Sequence, residues 1–459
     1  MSLVNAHSQS WDELWKGFRW QVPARYNIAH ECCGRWAAER SRFALYYEDD
    51  AGATAAWSFW DIQRAANQLS NVLAALGTMR GDRVAIVLPQ RPEAAIAHIA
   101  CYQMGAIALP LSPSLGAAAL EYRLAHAAAR LAIVDAEALE NLACVRDKLP
   151  ALKQVIGVGG ARESWLRDWD KLLPLASTRY TAADTAADDA ALILYTPAAR
   201  GALLAQCTLL GSLPGFVCAH DFYPRPGDMF WSPADWGQSD GLFGALLPAW
   251  SFGQPILAYR GRFDAEKAFW LMEKYGVKNS FLAPSQLRQM MEACPQPRAK
   301  FSLGQRSLAS GGEVLDVAVG AWARSELGVA INEVFGQAEI NAVVGGCGAV
   351  YAAKPGALGR PYPGHRVAIL DAAGEPVPPG AVGELCVQRS CQGQADPAFM
   401  LEYWNDPQAT RDRYFGSGSE AWGRSGELVR QDEEGYVWHH GRDVVDSARS
   451  SSPASIPGR

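Results

Sequence analysis

Several short stretches hold residues whose types and spacing suit nucleotide chemistry. In "ILYTPAARGALLAQ", residues 193–206, a buried strand over 191–195 runs into a Pro/Ala segment, then Arg200-Gly201, then an apolar stretch of helical character. Strand, tight loop and helix is the arrangement that aims backbone N–H groups and a nearby cation at phosphates. In "SGGE", Ser310 to Glu313, a strand ends in two glycines that allow close approach of backbone to a flat ring; a plain Gly-Gly turn is the alternative. In "NEVFGQAEIN", Glu339 stands six residues past Glu333 in an expected loop that begins with Asn332. A carboxylate there suits Mg²⁺, a hard ion that takes oxygen ligands alongside phosphates, and a solvated surface carboxylate is the alternative. In "RSGEL", Glu427 can accept two hydrogen bonds. "SPADWGQSDGLFGALLPAW" sets Trp236, Leu242 and Phe243 beside small glycines, as an apolar ligand pocket or an ordinary aromatic core would.

These residues need a scaffold, and the flanking texture describes one. "GDRVAIVLPQRPEAAIAHIACYQMGAIALPLSP", residues 81–113, reads as strand, Pro break, apolar helix and second strand, the order of a βαβ unit with a parallel sheet. Residues 119–139 repeat it, a helix feeding "LAIVD". Between about 160 and 190 the chain turns polar, a surface connection, and 241–282 again alternates apolar helix and strand. After about 360 short strands with Gly/Pro turns predominate, which predicts a β-rich subdomain packed on the α/β part. The expected fold class is therefore α/β: two α/β sheets plus a β-rich subdomain over residues 1–440. Residues 441–459 read as a hinge remnant and a Ser/Pro/Arg tail that cannot make a core.

Composition narrows the function classes. The 459 residues exceed one ordinary core, and 49% hydrophobic with 20% charged residues is the balance of a folded globular protein. A formal net charge of −6 leaves no basic footprint for nucleic acid. Ten cysteines without paired spacing fit a reduced, cytoplasmic protein. Neither a signal peptide nor a membrane span is expected. His439-His440 lack a metal partner at known spacing, and H-E-x-x-H and C-x-x-C do not occur.

Nine stretches in order, among them "RVAIVLPQRPE", "ILYTPAARGALLAQ", "SGGEVL", "NEVFGQAEIN", "GRPYPGHRVAILD", "YWNDPQAT" and "WGRSGELVRQDEEGYVWHHGRD", resemble the adenylate-forming superfamily, and within it the short- and medium-chain acyl-CoA synthetases. The resemblance implies a large N-terminal domain of that family. It also implies a reaction in which a carboxylic acid and ATP, with Mg²⁺, give an acyl-adenylate and pyrophosphate, and CoA then displaces AMP. A small-molecule acid and a nucleotide are the implied partners. By the same resemblance Arg200 and Glu339 act at the phosphates, with Glu339 toward the metal and Thr196, Gln337 and Ala338 beside them. Gly311, Gly312, Glu313 and Glu333 surround adenine, and Glu427 and Arg442 reach the ribose.

The chain also departs from the family pattern. Pro197, Ala198 and Ala199 stand where the family has seven residues, the four missing ones coming from its Ser/Gly/Thr part. Ala338 replaces a threonine, Glu427 an aspartate, and Val444 the aspartate of a hinge that leads to a small domain expected to be missing. Gly336 stands where acetate-specific relatives place a bulky tryptophan, which implies room for a medium-chain or aromatic acid. Two readings follow: an ATP-dependent acid–CoA ligase by descent, impaired as the chain stands, or a degenerate relative that only binds a nucleotide or acyl ligand.

Overall fold

The computed structural model describes residues 4–442. The expected βαβ unit is present: strands Arg83–Val87 and Ile107–Pro110 lie parallel on either side of helix Pro92–Met104 in sequence. All of that helix except Glu93 is buried. A helix apolar on every face has to be covered on every face, and its residues join the largest core cluster, which draws side chains from both main sheets. Strand Leu131–Asp135 adds parallel to Arg83–Val87, completing the repeat read from residues 119–139.

This first sheet has eight strands. It runs from Glu402–Tyr403 at one edge through Gly201–Ala205, Ala190–Tyr195 and Ile107–Pro110 to Arg167–Asp168 at the other. The second has fourteen. Its parallel half contains Phe43–Asp49, Ile256–Arg260, Ser307–Gly311 and Ile331–Gln337. Its antiparallel half contains Asn341–Gly345, Ala357–Pro361, Val382–Gln388, Trp422–Gln431 and Val437–Arg442. The β-rich region is thus continuous by hydrogen bonds with the α/β region. The change of direction falls in the turn after Gln337, and Glu339 sits in that turn.

Two expectations are corrected here. Residues 201–205 form a strand paired antiparallel with Ala190–Tyr195, and the next helix starts only at Thr208. All five residues of that strand are buried, and an apolar run covered on both faces carries no period to separate strand from helix. "NEVFGQ" is likewise strand rather than loop.

The two sheets are joined by a buried ionic node. Asp135, fully buried, accepts from the guanidiniums of Arg91 and, at 3.1 Å, Arg260, and caps the following helix at Glu137 N. Arg91 opens helix Pro92–Met104, whereas Arg260 ends a strand of the other sheet. Next to it Gln90 donates to the carbonyls of Ser232 (2.8 Å) and Ala234 (2.7 Å) and accepts from Tyr259 N. Removing one member of such a pair strands a buried charge, so Asp135→Ala is expected to lower unfolding free energy by about 3–5 kcal/mol in chemical denaturation.

Candidate active site

The phosphate-loop candidate is a closed hairpin. Between its strands Thr196 N donates to Arg200 O at 2.8 Å, Ala199 N to Thr196 O at 2.9 Å, and Arg200 N to Thr196 Oγ1 at 3.2 Å. Three residues suffice because Ala199 takes a left-handed conformation, φ 58°. The Thr196 side chain is therefore used in closing the turn. The Arg200 side chain packs its guanidinium over the Tyr403 ring, 5.5 Å from the centroid.

Tyr403 is placed there by the sheet edge, where it pairs with Ala202 in antiparallel register. Its hydroxyl donates to Glu339 Oε1 at 2.6 Å, and Met400 N donates to Glu339 O at 2.8 Å. Burial pushes the phenol well above its ordinary value, so it stays a neutral donor. On the other side of Glu339 stands Arg413, at the C-terminus of helix Pro407–Asp412, with a guanidinium nitrogen 3.9 Å from Oε1. The same guanidinium donates to Gln337 Oε1, and Gln337 Nε2 donates to Ser425 O at 2.8 Å. Two positions on, Glu427 N donates to Ser425 Oγ, and the Glu427 carboxylate lies 3.3 Å from His439 Nε2. Arg200, Glu339, Gln337 and Glu427, up to 227 residues apart in the chain, are thereby linked by one run of side-chain and backbone contacts, with Gln337 reaching the Ser425 carbonyl and Glu427 joining through its backbone N–H.

A second group lies along the end of the parallel strands. Gly311 pairs with Val334, and a Cβ on it would meet Val334 O at 2.4 Å. Gly312 holds φ +84° and faces the Asp240 carboxylate. Glu333 lines a cavity of about 100 Å³ with Leu315, Val317, Ala321, Tyr351 and Tyr436. Burial there raises its carboxyl to about 7. Arg442 stands opposite Glu427 across neighbouring strands, and Val444 and the expected tail lie outside the described residues.

Other candidates are placed differently. Glu313 is exposed and accepts from Ser285 N and Oγ, both at 3.0 Å. Trp236 is fully buried in the main core. A Cβ at Gly336 would lie 2.4 Å from Asn341 O, so that glycine is required by a strand irregularity between Phe335 and Gly336. Its missing side chain opens no room, contrary to the expectation. Ala338 packs partly buried against the core and offers no hydroxyl. Glu339 fits Mg²⁺ poorly: Tyr403 and Arg413 already approach its Oε1, and no group of three acidic, His or Cys side chains able to hold a metal occurs among the described residues. Tyr403, Arg413 and Ser425 were not singled out by sequence, since a lone tyrosine, arginine or serine in a quoted stretch has no spacing to mark it, and His439 was weighed only as a metal ligand.

Comparison with known proteins places the arrangement. The profile of the AMP-binding enzyme family matches residues 34–404. An acetyl-coenzyme A synthetase of Bacillus subtilis is 30% identical over 95% of this chain and 78% of its own length. An uncharacterised acyl–CoA ligase of the same organism, YtcI, is 28% identical over 95% and 80%. The crystal structure of Brucella canis acyl-CoA synthetase superposes with a TM-score of 0.86 at 25% identity, covering 95% of this chain and 80% of that one. An anthranilate CoA ligase in complex with anthranoyl-AMP shares the fold, with a TM-score of 0.82 at 22% identity. No helix among the described residues is long and apolar enough to cross a membrane. The match over most of its length and the shared architecture make this chain a member of the AMP-binding enzyme family.

Proposed function

We propose that the protein is an acid–CoA ligase by descent, built to hold a carboxylic acid and an adenine nucleotide for acyl-adenylate formation, with CoA as the acceptor of the acyl group. The connected run from Arg200 through Tyr403, Glu339, Arg413 and Gln337 to Ser425 and Glu427 carries this reading. In it, Arg200 and Glu339 stand at the phosphate end and Glu427, with His439 and Arg442, at the ribose end. Glu333 and the Gly311-Gly312 backbone flank adenine. Because Gly336 opens no space, the size of the acid does not follow from that position, and the assay spans acetate to dodecanoate and includes benzoate.

The hairpin bears on turnover. Its N–H groups at Thr196, Ala199 and Arg200 are spent on its own closure, so they are not available to β- and γ-phosphates. This favours a second reading, binding without efficient turnover. Mass spectrometry of thioester and adenylate products, with ATP, CoA and the acid panel, separates the two; product above background from any acid removes the binding-only reading. Replacing residues 197–199 with a seven-residue Gly/Ser/Thr loop should raise product formation by about a hundredfold, since each tenfold corresponds to about 1.4 kcal/mol and a charge-assisted hydrogen bond contributes that much or more. Equal yield from both chains would remove the hairpin as the limit. In calorimetry AMP should bind the unaltered chain within about tenfold of ATP, because the donors lost serve only the outer phosphates.

Glu333 gives a pH test. Its carboxyl is raised from 4.5 to about 7, so the folded state holds the proton more tightly than the unfolded chain. The contribution to stability is then fully present below about pH 4.5 and is lost as pH rises through about 7. Glu333→Gln, neutral at every pH, should leave the melting temperature unchanged near pH 4 and raise it near pH 8. A variant less stable than the parent at the higher pH would contradict the assignment of the shift to burial.

A further inference from the structure

Arg200 and Arg413 reach the Tyr403–Glu339 pair from opposite elements, the hairpin and the end of helix Pro407–Asp412. Arg200 has no carboxylate partner among the described residues; its cation rests only on an aromatic face. Arg413, with a side chain 11% exposed, lies against both neighbours of Ala338, donating to Gln337 and standing 3.9 Å from Glu339. Glu339 is 10% exposed on its side chain and already receives the Tyr403 hydroxyl. A guanidinium beside a carboxylate opposes a second cation there, while a guanidinium fork suits the oxygens of a phosphate.

We propose that Arg413, together with Arg200, forms an arginine clamp that binds the phosphate of an adenine nucleoside monophosphate, or of an adenylate, without a divalent cation. The proposal rests on the nucleotide reading above and adds to it the residue, the ligand charge state and the metal independence. Glu339 acts in it as the positioning carboxylate that holds the Arg413 fork and the Tyr403 ring, over which Arg200 lies. Tyr403 links the two arms.

The test is calorimetric titration of the full chain with adenosine, AMP and ATP, each with Mg²⁺ and with EDTA. AMP should bind at least about tenfold tighter than adenosine, one charge-assisted contact's worth, and EDTA should change its affinity by less than about twofold. Arg413→Gln should bring AMP to the affinity of adenosine while adenosine itself is unchanged, which shows that the fold and the adenine site persist. Arg413→Lys should recover only part of the difference, because it keeps the charge and loses the fork. Adding Ala338→Thr to Arg413→Gln should also restore part of it by supplying a hydroxyl between Gln337 and Glu339. The clamp is overturned if Arg413→Gln binds AMP as the parent does, or if the advantage of AMP over adenosine requires Mg²⁺. If adenosine binds and the phosphate adds nothing, the clamp fails and the nucleotide reading stands; if neither binds, both fail.

Discussion

A carboxylate removed from water has to be met by donors or cations, and Glu339 is where this requirement organises the site. The turn that carries it is the point at which a parallel sheet becomes antiparallel. Its donor, Tyr403, belongs to the edge of the other sheet. One short hydrogen bond therefore fixes the two sheets relative to each other at the site, and it also sets where Arg200 can lie, since that guanidinium rests on the ring of the same tyrosine. Arg413 completes the arrangement from a third element.

The tie at Glu339 works because the sheets are already held at a second place. Asp135, fully buried, joins them through Arg91, which is nearly buried, and Arg260, which is partly exposed, and Gln90 adds hydrogen bonds to backbone carbonyls beside it. Buried ionic nodes contribute little net stability, but they are costly to break on one side. Two separated nodes constrain relative orientation in a way that one cannot.

The three-residue hairpin shows how local geometry constrains chemistry. A loop that closes on itself satisfies its own N–H groups, and a satisfied donor has nothing to give a ligand. The site's remaining positive groups are then side chains, whose placement depends on packing rather than on turn type. On the proposed reading, phosphate recognition then falls to arginines from distant parts of the chain rather than to the backbone of the loop.

The α/β class, the βαβ unit at 81–113, the strand ending in Gly311-Gly312 and the order of nine stretches were legible in the sequence, because alternation of apolar segments with Gly/Pro breaks is a local property. Arg200, Glu339 and Glu427 were legible as candidates through the resemblance of their stretches to the adenylate-forming superfamily. The strand at 201–205 was not, since five apolar residues buried on both faces have no period. Nor were Tyr403 and Arg413, which lie 64 and 74 positions from Glu339 along the chain and meet it only through sheet pairing and a helix end. Gly336 marks the limit clearly: its type suggested an open pocket, whereas the backbone of Asn341 occupies the space a side chain would need. Sequence determined which groups were available for phosphate and nucleotide chemistry; tertiary packing alone decided which donors were already spent, because a hydrogen bond made within the fold is a relation between atoms that the chain order does not bring together.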